Sequence, residues 1–163
     1  MTLLFVYLFI ALFTSFLCSI MEAVLLSTPL SFLKAKANKG DKSAELFIGL
    51  KTDIDKPLAA ILTLNTVAHT VGAAGVGAEA VLIFGQTYFG YISAILTILI
   101  LVVTEIIPKT IGANYSKELM SVSARIINAM IFITYPLVIA SVMLTKLLSR
   151  KNIENTTSRE EIS

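Results

Sequence analysis

The run from Ala80 to Thr104, AVLIFGQTYFGYISAILTILILVVT, contains no ionised side chain and stops at Glu105. A hydrocarbon core about 30 Å thick needs about 20 helical residues to cross it, so this run is long enough to span a bilayer. Similar runs occupy residues 1–21, 57–78 and 126–145. The sequence therefore predicts an all-α membrane protein.

The composition supports this class and excludes others. Of the 163 residues, 56% are hydrophobic and 15% are charged, against about 45–50% apolar and about 25% charged residues in soluble domains. A single cysteine, Cys18, and a single histidine, His69, provide neither an internal disulfide nor a Cys/His zinc set. The net charge of +2 is too small to predict a nucleic-acid partner. The sequence shows no nucleophile–base pair and no phosphate loop, so we expect that this protein is not an enzyme.

We predict a transmembrane domain at 1–150 with three spanning helices, at about 3–28, 57–80 and 88–111. No Lys or Arg precedes the first run, which favours a retained helix over a cleaved signal peptide. The loop between the first two spans contains six lysines: Lys34, Lys36, Lys39, Lys42, Lys51 and Lys56. Lysine-rich loops remain in the cytoplasm. We therefore expect a multi-pass protein of the inner or plasma membrane with its N-terminus outside and its C-terminus cytoplasmic.

The fourth apolar run conflicts with this orientation. If it crossed the bilayer, Lys146, Arg150 and Lys151 would lie outside, and Pro136 interrupts the run. We predict instead an in-plane or re-entrant amphipathic pair of helices at 117–149, with a fourth span as the alternative. The polar residues 151–163 are interpreted as a linker.

Residues 30–56 form more than a tether between two spans. Asn38-Lys39-Gly40-Asp41 is typical of a turn, and Asp41 or Ser43 is suited to cap a following helix. Ala44, Phe47, Ile48 and Leu50 give that helix an apolar side. We predict cytoplasmic juxtamembrane helices packed under the bundle.

Polar side chains inside apolar runs are costly in a bilayer, so each is a functional hypothesis. Ser15, Ser19 and Glu22 share one face of the first helix, Asn65 lies on the second, and Glu105 lies on the third. Counted from the cytoplasmic ends, Ser19, Asn65 and Glu105 lie roughly 9–12 Å deep at about 1.5 Å per residue. This shared depth predicts a layer of oxygen ligands. The alternatives are serines bonded to their own helix and a Glu105 paired with its neighbour Lys109.

Pro108 adds a further kind of ligand. It has no N–H, so it interrupts helical hydrogen bonding and leaves the Thr104 carbonyl without its usual donor, while Gly112 loosens the next turn. Hydroxyl, amide, carboxylate and carbonyl oxygens suit Mg²⁺, Ca²⁺ or Na⁺ and disfavour copper or zinc. For His69 we favour an interhelical hydrogen bond. The small-residue run Gly72–Ala78 favours packing inside the monomer over a dimer contact.

Three motifs resemble one family. Ser15–Ser27 (SFLCSIMEAVLLS), Leu64–His69 (LNTVAH) and Thr104–Thr110 (TEIIPKT) are similar, in order, to the three helix motifs of the CorC/CorB and CNNM magnesium transporters. Thr156–Ile162 (TTSREEI) resembles the lead into that family's cytoplasmic CBS domains, which are absent here.

The resemblance implies a homodimer in the lipid bilayer and Mg²⁺ export coupled to Na⁺ entry. By this resemblance, the Mg²⁺ ligands would be Ser15, Ser19, Asn65, Glu105 and a backbone carbonyl near Gly112. Glu22 matches a motif residue that could contact Mg²⁺, contact Na⁺ or shape the site. His69 stands where the family usually has asparagine, which leaves it as a candidate for supporting the ligands or for Na⁺. A non-transporting Mg²⁺ sensor is the alternative function, because it would use the same ligands.

Overall fold

The computed structural model describes residues 1–137 together with 139, 140 and 143, and these residues contain helices and turns but no strand. The helices are α1 (Thr2–Ser27), α2 (Leu30–Ala37), α3 (Lys42–Thr52), α4 (Asp55–Phe84), a 3-10 turn (Gln86–Tyr88), α5 (Phe89–Leu99), a π-helical segment (Ile100–Ile106), α6 (Ile107–Asn114) and α7 (Ser116–Ile133). Within this described part, three helices are long and apolar enough to cross a membrane: α1, α4 and the continuous stretch from Gln86 to Asn114, here called the third span. The predicted all-α membrane fold is confirmed.

The ends of the spans follow from local chemistry. α1 ends at Ser27, and the Thr28 hydroxyl donates to the Val24 carbonyl at 2.7 Å directly before Pro29, whose ring fixes the backbone. α4 runs a few residues beyond the predicted end and stops at Gly85, where φ is +81°. A positive φ favours glycine, so this position is a natural helix terminus.

The predicted turn and cap lie between α2 and α3. Gly40 has φ +84°, and the Asp41 carboxylate accepts from the backbone N–H groups of Ser43 at 2.9 Å and Ala44 at 3.2 Å. The Ala44 and Ser43 N–H bonds and the nearby Lys36 ammonium lower the pKa of Asp41 below its ordinary value. The sequence pattern therefore identified the start of α3.

A buried hydrophobic cluster joins α1 and the start of α4 to α2, α3 and α7. Phe47 of α3 is completely buried in it, as are Leu25 of α1, Leu33 of α2 and Ile127 of α7. Lys51 also contacts this end of α1, where its ammonium donates to the Thr28 carbonyl at 2.6 Å and burial lowers its pKa. The apolar side of α3 thus anchors the lysine-rich loop to the bundle.

The helix α7 packs one side against this core. Its buried residues lie on one helical face, because each is three or four positions from another of the set: Ser116, Met120, Ser123, Ala124, Ile127 and Met130. α7 ends at Ile133, just before the Tyr135-Pro136 pair. Its orientation relative to the membrane plane stays a prediction. Much of the predicted segment 117–149 beyond Pro136, and the linker 151–163, lie outside the described residues.

The glycines of α4 allow α1 to approach closely. A Cβ added at Gly72 would overlap the Ala11 side chain, and one added at Gly75 would lie 2.7 Å from the Tyr7 ring. Both neighbours belong to α1 of the same chain. The favoured reading of the small-residue run, packing within the monomer, is confirmed for these two glycines.

Candidate functional site

Five polar side chains from the three spans meet at one place: Ser15 of α1, Asn65 and His69 of α4, and Thr104 and Glu105 of the third span. We call them the polar cluster. Asn65 lies at its centre, because its amide oxygen accepts from Ser15 Oγ at 2.7 Å and its amide nitrogen donates to Glu105 Oε1 at 3.2 Å. One amide therefore connects all three spans.

Ser15 faces its neighbours and not its own helix. The residue is fully buried, its hydroxyl donates to Asn65, and His69 Nε2 lies 2.5 Å from the same oxygen. The alternative in which this serine bonds back to a carbonyl of its own helix is not what the structure shows. Ser15 is available as a ligand between helices.

The π-helical segment explains how two consecutive residues face one point. The Ile107 N–H donates to the carbonyl of Val102, five residues earlier, immediately before Pro108. In an α-helix, consecutive side chains point about 100° apart, and a π-helical turn changes that spacing. Here Thr104 Oγ1 and Glu105 Oε1 lie 3.4 Å and 3.9 Å from His69 Nε2. The helix continues through Pro108, which alters the bonding pattern without ending the span.

The two oxygens of Glu105 have different partners. Oε1 faces Asn65 and His69, whereas Oε2 pairs with the Lys109 ammonium at 2.9 Å. Lys109 also lies 3.3 Å from Glu22 Oε2. The alternative pairing of Glu105 with Lys109 is therefore present together with the polar cluster. Among the described residues, Lys109 is the one that links Glu22 to the cluster by ion pairs.

Two predicted ligands occupy different surroundings. The Ser19 hydroxyl is buried and has no hydrogen-bond partner among the described residues. Gly112 is buried against α1, and a Cβ there would lie 2.8 Å from both the Ile20 carbonyl oxygen and the Ala23 Cβ. In the structure, Gly112 allows α6 to pack closely on α1. That a backbone carbonyl near Gly112 binds Mg²⁺ stays a prediction.

Thr104 was not among the predicted site residues, but the structure places it in the polar cluster together with His69. Thr104 is completely buried, and its hydroxyl donates to the Ile100 carbonyl at 2.8 Å. The only sequence signal for Thr104 was its position four residues before Pro108 and next to Glu105. Among the described residues, no three His, Cys, Asp or Glu side chains are placed to hold one metal ion. A cation here would therefore need hydroxyl and amide ligands as well.

Comparison with known proteins gives a consistent family match. A sequence model of the cyclin M (CNNM) transmembrane N-terminal domain matches residues 6–163. A UPF0053 protein of Synechocystis sp. is 34% identical over 130 residues, which cover 80% of this chain and 38% of that protein. A UPF0053 protein of Haemophilus influenzae is 32% identical over 141 residues, covering 83% and 32%.

A plant relative is also similar. A chloroplastic DUF21 domain-containing protein of Arabidopsis thaliana is 30% identical over 91 residues, which cover 56% of this chain and 14% of that protein. The chain thus spans 38% and 32% of the length of the two UPF0053 relatives, so most of each extends beyond the match.

Proposed function

Because this chain belongs to the cyclin M (CNNM) transmembrane family, we propose that it transports Mg²⁺ across the membrane as a Na⁺-coupled exporter. The family places the chain among membrane metal transporters and related membrane proteins, a class that is not typically enzymatic. Mg²⁺ is the cargo in this proposal, and Na⁺ is the counter-ion. The homodimer, the inner or plasma membrane and the cytoplasmic CBS domains implied by the resemblance belong to the same proposal.

The meeting of Ser15, Asn65 and Glu105 from three separate spans is the observation that carries this proposal. Mg²⁺ prefers octahedral oxygen ligands at about 2.0–2.1 Å, so neighbouring ligands on one ion lie about 2.9 Å apart. Ser15 Oγ and Asn65 Oδ1 are 2.7 Å apart, which is close to that spacing. These two neutral oxygens could therefore share one Mg²⁺ after small side-chain adjustments.

Charge supports a cation as the occupant. Glu105 directs Oε1 toward the neutral ligands and is the carboxylate of the polar cluster. Its other oxygen already holds the Lys109 ammonium, which it shares with Glu22. A divalent cation bound at Glu105 would repel this ammonium and move it toward Glu22. Glu22 is then the candidate acceptor for Lys109 or for Na⁺ during exchange.

The proposal is tested by flux through liposomes containing the purified chain, with Mg²⁺ followed by a fluorescent indicator trapped inside. We expect an opposing Na⁺ gradient to accelerate Mg²⁺ movement, and an equal K⁺ gradient to leave it at the background of protein-free liposomes. Mg²⁺-dependent thermal stabilisation without any flux would instead support the sensor. Neither stabilisation nor flux would reject both functions.

Ser19 allows a prediction that separates binding from stability. Because a buried hydroxyl without a partner is unfavourable, Ser19→Ala is expected to raise the thermal stability measured without divalent cation, by about 1 kcal/mol. If Ser19 is a ligand, the same change reduces the additional stabilisation by Mg²⁺. Both quantities are read from thermal unfolding in detergent with and without Mg²⁺.

Ser123→Ala is the matched control. Ser123 of α7 is also buried without a hydrogen-bond partner among the described residues, but it lies in the core on α7. Ser123→Ala should raise the thermal stability by a similar amount and leave the stabilisation by Mg²⁺ unchanged. If both variants keep the full Mg²⁺ effect, Ser19 is excluded as a ligand.

A further inference from the structure

His69 is the one member of the polar cluster that offers a nitrogen to a metal ion. Its Nε2 lies 2.5 Å from Ser15 Oγ, 3.4 Å from Thr104 Oγ1 and 3.9 Å from Glu105 Oε1. The ring therefore directs its outer nitrogen into the space between the three spans. Its side chain is 30% exposed, and that of Glu105 is 24% exposed, so both are largely enclosed.

We propose that His69 makes the polar cluster a site for a first-row transition dication such as Mn²⁺, in addition to Mg²⁺, with His69 Nε2 as a direct ligand. This inference rests on the proposed function, because it assumes that a divalent cation binds at Ser15, Asn65 and Glu105. It adds a second substrate class and names the residue that determines it.

The distances permit one ion to be shared. Two donors that each lie about 2.1 Å from an ion are at most about 4.2 Å apart, and about 2.9 Å apart when they are octahedral neighbours. The separation of His69 Nε2 from Glu105 Oε1, 3.9 Å, lies below that limit. Nε2 and Ser15 Oγ are 2.5 Å apart, which is shorter than the octahedral spacing, so these two atoms would have to move apart by about 0.4 Å to bind one ion as neighbours. Because the Ser15 hydroxyl donates to Asn65, Nε2 faces Ser15 Oγ as a donor; coordination would need the other tautomer, with the proton on Nδ1.

Ligand chemistry gives the direction of the selectivity. Mg²⁺ strongly prefers oxygen, whereas imidazole nitrogen is a good ligand for later first-row dications, whose affinity for nitrogen sites rises from Mn²⁺ toward Cu²⁺. His69 therefore increases the affinity for Mn²⁺ and contributes little to Mg²⁺. The remaining donors, one carboxylate, one amide and hydroxyls, serve either ion.

A structural role for His69 makes a different prediction. If the ring only joins α4 to α1 and the third span by hydrogen bonds, its replacement would change the stability without divalent cation and affect both metals equally. His69→Asn keeps a polar side chain and removes the imidazole nitrogen. The ratio of Mn²⁺ to Mg²⁺ affinity in this variant therefore distinguishes a ligand from a structural bridge.

The test uses the purified 163-residue chain without a histidine tag, titrated with Mn²⁺ or Mg²⁺ and followed by thermal unfolding. We expect Mn²⁺ to bind at least about tenfold more tightly than Mg²⁺. In His69→Asn, we expect Mn²⁺ affinity to fall about tenfold or more and Mg²⁺ affinity to change less than about threefold.

Pulsed electron paramagnetic resonance of bound Mn²⁺ supplies a readout that needs no variant. The chain contains one histidine, so labelling histidine with ¹⁵N changes the nitrogen modulation only if His69 coordinates the ion. Bound Mn²⁺ with no histidine coupling overturns this inference and leaves the Mg²⁺ function intact. Stabilisation by neither metal overturns both, so the two failures are distinguishable.

Discussion

Glu105→Ala is expected to abolish the Mg²⁺-dependent rise in thermal stability of the purified chain. Glu105 is the carboxylate of the polar cluster, and its Oε1 faces the amide nitrogen of Asn65 at 3.2 Å. Without it, the neutral oxygens of Ser15 and Asn65 would have to bind Mg²⁺ beside the positive charge of Lys109. Such a site cannot offset the dehydration of Mg²⁺.

Two further substitutions make this result specific. Glu105→Gln retains the shape of the side chain without its charge, so it should lose the Mg²⁺ effect as fully as Glu105→Ala does. Glu79 is a half-buried carboxylate further along α4, ten residues after His69 and therefore about 15 Å away along the helix. Glu79→Ala should retain the Mg²⁺ effect. A full Mg²⁺ response in Glu105→Gln would show that this carboxylate is not the dominant ligand.

Gly72→Ala is expected to destabilise the chain by about 1–3 kcal/mol, the usual range for overpacking, despite the higher helix propensity of alanine. The added Cβ would overlap Ala11, whose own Cβ has no rotamer that could move it away. α4 would have to move away from α1, which would lengthen the contact between Ser15 and Asn65. The Mg²⁺ response should therefore weaken together with the unfolding temperature.

Gly49→Ala provides the comparison in the same protein. Gly49 lies in α3, and a Cβ there meets nothing within 4 Å. This variant should gain about 0.5–1 kcal/mol from reduced backbone freedom and keep the full Mg²⁺ response. Thermal unfolding of both variants in the same detergent measures the contrast. If Gly72→Ala were as stable as Gly49→Ala, the close approach of α1 and α4 would be refuted.

Much of the fold could be predicted because its signals are local. A long run without charges predicts a helix that could span a bilayer, and the described residues contain three such helices. Asp41 caps α3 through N–H groups two and three residues away, so its role was visible in the sequence. Ser15, Asn65 and Glu105 were predicted as site residues because any polar side chain inside an apolar run is exceptional.

The meeting of these residues could not be read from their positions. Helix periodicity says which residues share a face, but the rotation of one helix against another depends on how their surfaces pack. Close packing of Gly72 on Ala11 and of Gly112 on Ile20 brings α4 and α6 against α1. That packing points Ser15 toward Asn65.

The same packing decided the details that change the chemistry. The π-helical turn before Pro108 brings Thr104 and Glu105 toward His69, and Lys109 is shared between Glu22 and Glu105. The sequence alone shows which polar residues lie within a membrane helix. The partner of that residue depends on contacts between distant segments, because interhelical distances and side-chain rotamers are set only when the helices pack together.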